Sequence, residues 1–190
     1  MRLTALAHGI VAPHLRPGGF AADATAGNGH DTLFLAKTVG EAGRVWAFDI
    51  QPEAIASTRR RLEKNNATAG VTLVEDSNAR IAGRIPAEFH GKLDVVMANL
   101  GYLPGGDPGV ITRTADTLVF LHAAFALLRP GGVLSILAYP GHPGGDEESA
   151  AVADAMAAIA RDEGELALHG DPGDTARRPW LGVLRKTTVK

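Results

Sequence analysis

The chain has no cysteine among its 190 residues. Disulfides, thiolate catalysis and zinc–cysteine sites are excluded, and no resident metal is expected. No apolar run is long enough to span a bilayer, and no signal-peptide pattern opens the sequence. A cytoplasmic protein without a membrane partner is expected. An excess of either charge is also missing. The net charge is −2, so the surface as a whole has no general attraction for nucleic acid. Such a contact needs a local basic patch or a surface built by two subunits. There is no repeat, linker or low-complexity stretch. What remains is 45% hydrophobic and 21% charged residues, enough for a real core at a length that suits one domain over residues 1–190.

The chain is organised around FAADATAGNGHD, residues 20–31. A short apolar run ends in Asp23, a turn with Gly27 and Gly29 follows, and helical spacing begins at Asp31. Strand, glycine turn and helix make a nucleotide-type cofactor site at the carboxyl end of a strand. The helix start offers free N–H groups to polar ligand atoms. Asp49 closes the next strand, where a carboxylate can accept from both hydroxyls of a ribose. Two cofactor classes share this plan. Dinucleotide binders favour G-x-G-x-x-G, but Thr32 stands where the third glycine belongs. The run Asp23-x-Thr25-x-Gly27-x-Gly29 looks like the pattern of S-adenosylmethionine (AdoMet) methyltransferases. The plain alternative is a glycine-rich βα turn with no ligand.

In order, the spacing predicts a helix over 3–15 carrying His8 and His14 as surface or packing residues. Strand 20–25, helix 31–39, strand 44–50, helix 52–66 and strand 71–75 follow. Pro52 suits a first helical turn. Arg59, Arg60 and Arg61 read as a solvated face, with phosphate binding as the alternative. Asp76, Ser77 and Asn78 then face the adenine in this architecture, or serve as a helix N-cap. A short helix over 79–85 leads to strand 93–98, apolar enough to be buried on both faces. A helix over 112–128, a turn at 129–132, strand 133–139 and helix 146–163 come next. Residues 166–169 and 180–186 read as an antiparallel pair. The fold expected is α/β and Rossmann-like: a seven-stranded, mostly parallel sheet with helices on both faces and a C-terminal antiparallel hairpin. That hairpin separates the methyltransferase version from the dinucleotide version.

The chemistry is expected in NLGYLPGGD, residues 99–107, at the end of the fourth strand beside the first. Asn-Leu-Gly-Tyr resembles the Asn-Pro-Pro-Tyr signature of amino-group methyltransferases. An amine nucleophile must be held with its lone pair toward the sulfonium methyl. The Asn99 side-chain oxygen and the Leu100 carbonyl can accept its two hydrogens, and Tyr102 can stack on a planar base. A protonated amine must first lose a proton, to Asp107, His142 or water. Arg177 and Arg178 are candidates for phosphate or solvent. The alternative for the loop is a plain turn, since Asn, Gly and Pro all form turns.

DATAGNGHDTLFLA, FDIQ, NLGYLPGGD and the GHP loop together resemble a small family of bacterial AdoMet-dependent methyltransferases known as rRNA methylases. Its MnmM-type members methylate the amino nitrogen of 5-aminomethyl-(2-thio)uridine at the tRNA wobble position. The resemblance covers about residues 23–143 and is weaker around 75–78 and 170–180. It implies AdoMet binding by Asp23, Gly27, Gly29, Asp49 and the Asp76–Ser77 turn, and a substrate site at Asn99, Tyr102 and His142. The full set of expected cofactor contacts adds Thr25, Asn28, Asp31, Thr32, Ile50, Gln51 and Asn99. The expected catalytic pair is Asn99 and Tyr102, with Leu100, Tyr102, Asp107, His142 and Arg177 toward substrate. The expected activity is AdoMet-dependent N-methylation of a tRNA wobble uridine, with a homodimer widening the RNA surface. The rivals are an rRNA or small-amine methyltransferase of the same fold, a dinucleotide-dependent oxidoreductase, and a non-catalytic module that keeps the cofactor pocket.

Overall fold

The computed structural model describes residues 3–101, 114–141 and 144–187. Seven strands form one sheet in the order β3-β2-β1-β4-β5-β7-β6. They are β1 Phe20–Asp23, β2 Arg44–Asp49, β3 Val71–Glu75, β4 Leu93–Leu100, β5 Leu128–Ala138, β6 Gly164–His169 and β7 Trp180–Lys186. Every pairing is parallel except those of β7, which runs against both β5 and β6. The helices are α1 Leu3–Val11, α2 His30–Val39, α3 Pro52–Lys64, α4 Ile81–Arg84, α5 Thr114–Leu127 and α6 Gly145–Glu163. From β1 the chain moves outward to β2 and β3, then returns to β4 on the other side of β1. The crevice at that reversal is where ligands of open α/β sheets lie.

Alternate residues of each strand feed two layers of core. In β4, Val95 and Met97 join Val11 of α1, Leu35 and Val39 of α2 and Leu62 of α3. Val96, Ala98 and Leu100 join Phe120 and Leu121 of α5 and Val152 and Met156 of α6 on the opposite face. Both faces are covered, which is why β4 reads as a continuous apolar run. Its one charged residue, Asp94, is fully buried at the amino end of the strand. There it accepts from Arg16, from Arg129 and from the Phe20 N–H. α1 packs on β5 and β7.

Several boundaries differ from the sequence expectation for definable reasons. The leading helix stops at Val11 and continues as a 3₁₀ turn over Ala12–His14, because Pro13 has no N–H for the α-helical ladder. The third helix ends at Lys64, and Asn66 takes a left-handed φ of 51°. The short helix after β3 is a 3₁₀ turn, Asn78–Arg80, followed by α4. β4 runs two residues further than expected, so Asn99 and Leu100 pair with Leu137 and Ala138. The expected turn at 129–132 lies inside β5 as a register shift. There Gly131 has φ +77°, and a β-carbon on Gly132 would meet the Leu93 carbonyl at 2.8 Å. The beginning of the expected 112–128 helix lies outside the described residues; its described part ends at Leu127. Among the described residues no helix is long and apolar enough to cross a membrane.

Candidate active site

The turn after β1 is stitched to both neighbouring strands. Ala24 N–H donates to the Met97 carbonyl at 2.8 Å and Ala26 N–H to the Phe48 carbonyl at 2.7 Å. Asp23 is buried and accepts from the Thr25 N–H at 3.1 Å and from the Thr32 hydroxyl. Asp49, at the end of β2, accepts from the Gly27 N–H at 2.9 Å and the Gln51 N–H at 3.0 Å. Gly27 and Gly29 have φ of +52° and +76°, conformations glycine adopts without strain. α3 closes over this turn. Thr58 donates to the Gly27 carbonyl at 3.1 Å, Ser57 to Asn28 Oδ1 at 3.1 Å, and Arg61 to the Asn28 carbonyl and toward His30. Arg61 is therefore a brace on the glycine turn, whereas the sequence suggested a solvated face or a phosphate contact.

Three carboxylates converge here. Burial, then the charge of Asp31, pushes the Asp23 carboxyl up to about 7, with a further push from Asp49; the bonds from Thr32 and Thr25 oppose this only in part. Burial also pushes Asp31 up. Hydrogen bonds from His8 and Asn99, with the charges of His8 and His30, outweigh it and hold Asp31 below the usual carboxylate range. So acidic a cradle repels a diphosphate. It suits a ligand that carries a positive charge and offers a diol to Asp49.

At the end of β4, the Asn99 N–H donates to Thr25 Oγ1 at 2.7 Å and its side-chain Nδ2 donates to Asp31 Oδ2 at 2.6 Å. Asp31 Oδ1 lies 2.6 Å from His8 Nε2. The His8 ring stacks on Phe34 with centroids 3.9 Å apart. The amide nitrogen of Asn99 is thus engaged with Asp31, and its acceptor end, Oδ1, is turned the other way. The Leu100 carbonyl accepts from the Tyr139 N–H at 3.0 Å, which uses one of its two lone pairs. Tyr139 is 37% exposed. Burial, followed by the charge of Asp31, raises its phenol above the ordinary range.

The structure therefore brings Asp23, Thr25, Gly27, Asn28, Gly29, Asp31, Thr32, Asp49, Asn99 and Leu100 to one group of strand ends. Ile50 and Gln51 continue from Asp49, and Ile50 is 49% exposed. Asp76, at the end of β3, accepts from the Ser77 N–H at 2.8 Å and from Arg84 at 2.7 Å. The Arg84 bond leads the effects that hold its carboxyl below the usual range. Ser77 Oγ accepts from the Ala79 N–H at 3.3 Å, an N-cap contact. Arg177 pairs with Asp146 at 2.6 Å and so ties its loop to the start of α6. Tyr102, Asp107 and His142 lie outside the described residues. Sequence reasoning missed His8, Thr58, Arg61 and Tyr139. Their roles depend on partners distant in sequence, and no local pattern marks them.

Residues 45–179 match the family model described as "Putative rRNA methylase". The chain belongs to this family. A chloroplastic tRNA (mnm(5)s(2)U34)-methyltransferase of Arabidopsis thaliana is 38% identical over 155 residues, which are 77% of this chain and 56% of that protein. The chain thus spans about half the length of that curated relative. A solved "putative rRNA-methylase" from Clostridium thermocellum superposes with a TM-score of 0.89 at 34% identity, over 96% of each chain. A "putative methyltransferase" from Streptococcus mutans, solved in complex with SAH, gives 0.83 at 31% identity over 98% of each. The seven-stranded order with its closing antiparallel hairpin is the Rossmann-like methyltransferase fold of these neighbours.

Proposed function

We propose that this chain is an AdoMet-dependent methyltransferase that N-methylates the 5-aminomethyl group of a (2-thio)uridine at the tRNA wobble position. The observation that carries this reading is the Asn99 amide, fixed by Asp31 at a strand end beside an acidic crevice. AdoMet fits the donor set. Its ammonium and sulfonium relieve the mutual repulsion of Asp23, Asp31 and Asp49, which a nicotinamide dinucleotide would aggravate. Asp49 has lone pairs left for the two ribose hydroxyls, and the exposed Ile50 offers an apolar surface to the adenine. Asp76 and Ser77 are assigned to the exocyclic amine.

When bound, the cofactor supplies an electrophilic methyl group on its sulfonium. The work left to the chain is alignment, for which effective molarities on the order of 10⁵ M or more are known. Asn99 Oδ1 accepts one hydrogen of the neutral amine, and the second lone pair of the Leu100 carbonyl accepts the other. The nitrogen lone pair then points at the methyl carbon. Tyr102 is assigned to the base, Asp107 and His142 to the departing proton, and Arg177 to phosphate. A surface wide enough for an anticodon arm is expected from two subunits, since the chain itself carries no net positive charge.

The test uses labelled AdoMet and tRNA from cells that accumulate 5-aminomethyluridines, followed by nucleoside mass analysis. A methyl-sized gain on that nucleoside is expected. No gain, with AdoMet binding confirmed in the same sample, overturns the wobble-uridine assignment and directs the search to rRNA and small amines.

A further inference from the structure

We infer that His8 is a positioning residue for methyl transfer: through Asp31 it fixes which end of the Asn99 amide faces the incoming amine. This rests on the role given to Asn99 above. His8 Nε2 is 2.6 Å from one oxygen of Asp31, and Asn99 Nδ2 is 2.6 Å from the other. The imidazole is held flat on Phe34, one turn further along α2, with 5° between the ring planes. Its helix is docked on β5 and β7. His8 thus reaches Asp31 from a different element than Asn99, and the carboxylate is clamped between them.

The chemistry of the clamp sets the orientation. An ionised carboxylate only accepts, so the amide must present its NH₂ to Asp31 and its oxygen to the other side. A protonated Asp31 has a hydroxyl to donate and can draw the amide oxygen instead. The amide then turns over and offers N–H groups to an amine that needs an acceptor. Asp31 is buried, so ionisation needs support. The groups facing it are His8 from α1, His30 from its own helix, Asp23 from β1, Asn99 from β4 and Tyr139, the residue after β5. Burial and the nearby Asp23 favour the protonated form. His8 and Asn99 are its hydrogen-bond donors, and His8 is the one with no proposed contact to substrate. Removing His8 therefore tilts Asp31 toward protonation and releases the Asn99 amide.

The side-chain NH₂ resonance of Asn99 in ¹⁵N-labelled protein, assigned by its loss in Asn99→Ala, reports the orientation directly. It is followed from about pH 4 to about pH 9. In the unsubstituted protein the carboxylate-bonded signal is expected to persist to the acid end of that range. In His8→Ala its midpoint is expected to move up by about one pH unit or more. His8→Gln keeps a donor without the ring charge and is expected to fall between. An unmoved midpoint in His8→Ala overturns the inference, whatever the protein methylates. If His8→Ala does not fold, His8→Asn, whose shorter side chain withdraws the donor, carries the same test.

In the methylation assay, His8→Ala is expected to lower kcat by roughly 10- to 100-fold. AdoMet affinity stays within about three-fold, and the acid limb of the rate profile shifts upward. A merely structural histidine would instead lower melting temperature and AdoMet affinity together, with no shift of the limb and no rescue by Gln. An unsubstituted protein that methylates no nucleoside defeats the functional reading alone, because the resonance still decides the role of His8.

Discussion

Gly29 and Thr58 meet backbone to backbone: a β-carbon on Gly29 would lie 2.8 Å from Thr58 Cα and 2.9 Å from its Oγ1. The glycine after β1 is therefore required by the helix that closes over the turn, as well as by its own φ of +76°. Gly29→Ala is expected to cost about 1–2 kcal/mol for the backbone conformation alone, plus the displacement of α3. Gly144, with φ +77°, ψ −9° and no neighbour within 4 Å, isolates the first part. Calorimetry of both alanine variants should show the larger fall in melting temperature for Gly29→Ala, with weakened AdoMet binding only there. Equal falls would remove the Thr58 contact as a cause.

Asp23 ties cofactor affinity to pH. Burial pushes its carboxyl up to about 7, against 3.8 for the ordinary group. Between those values the native state holds a proton that the unfolded chain has released. This group's contribution to stability is thus full below about pH 4, declines as pH rises to about 7, and stays low beyond. A bound cation favours the ionised form. AdoMet binding is expected to release a proton and to tighten as pH rises through about 7. Titration calorimetry in buffers of different ionisation heat measures that proton. Asp23→Asn keeps an acceptor for the Thr25 N–H and a partner for the Thr32 hydroxyl. It is expected to abolish the dependence and to raise the melting temperature at about pH 8.

Asn99→Ala removes the side-chain acceptor and leaves intact the backbone bond to Thr25. Single-turnover rates are expected to fall by about 100-fold or more, while AdoMet affinity changes little. Turnover equal to that of the unsubstituted protein would restore the non-catalytic reading of the loop.

Asp94 lies at the far end of β4 from the site. Asp94→Ala strands Arg129 and leaves the Phe20 N–H without its acceptor. The expected loss is about 3 kcal/mol, the low end for a broken buried pair, because Arg16 is largely exposed and regains water. Denaturant unfolding measures it. The folded fraction should bind AdoMet as before.

The sheet was legible because its signals are local. Apolar runs of strand length alternate with helical spacing, and glycine pairs mark the turns between them. The closing hairpin was legible from two short runs around a polar loop. The site was readable only where it follows strand ends. The brace from Arg61 to Asn28 spans 33 residues and the His8–Asp31 contact spans 23, so tertiary packing alone creates them. Pro13 and the shift inside β5 moved boundaries for backbone reasons that periodicity does not register.

The docking of α1 has a consequence for the order of events during synthesis. The glycine turn, Asp31 and Asn99 can all be laid down once β4 has been made. The helix carrying His8 precedes all of these in the chain, yet the part of its seat formed by β5 and β7 is made after them. Because domains are made from the amino end onward, this helix meets its last packing surface with the last strand. A nascent chain halted before Trp180 would hold the helix of His8 against β5 without the β7 part of its seat, so the last strand completes the wall behind the clamp.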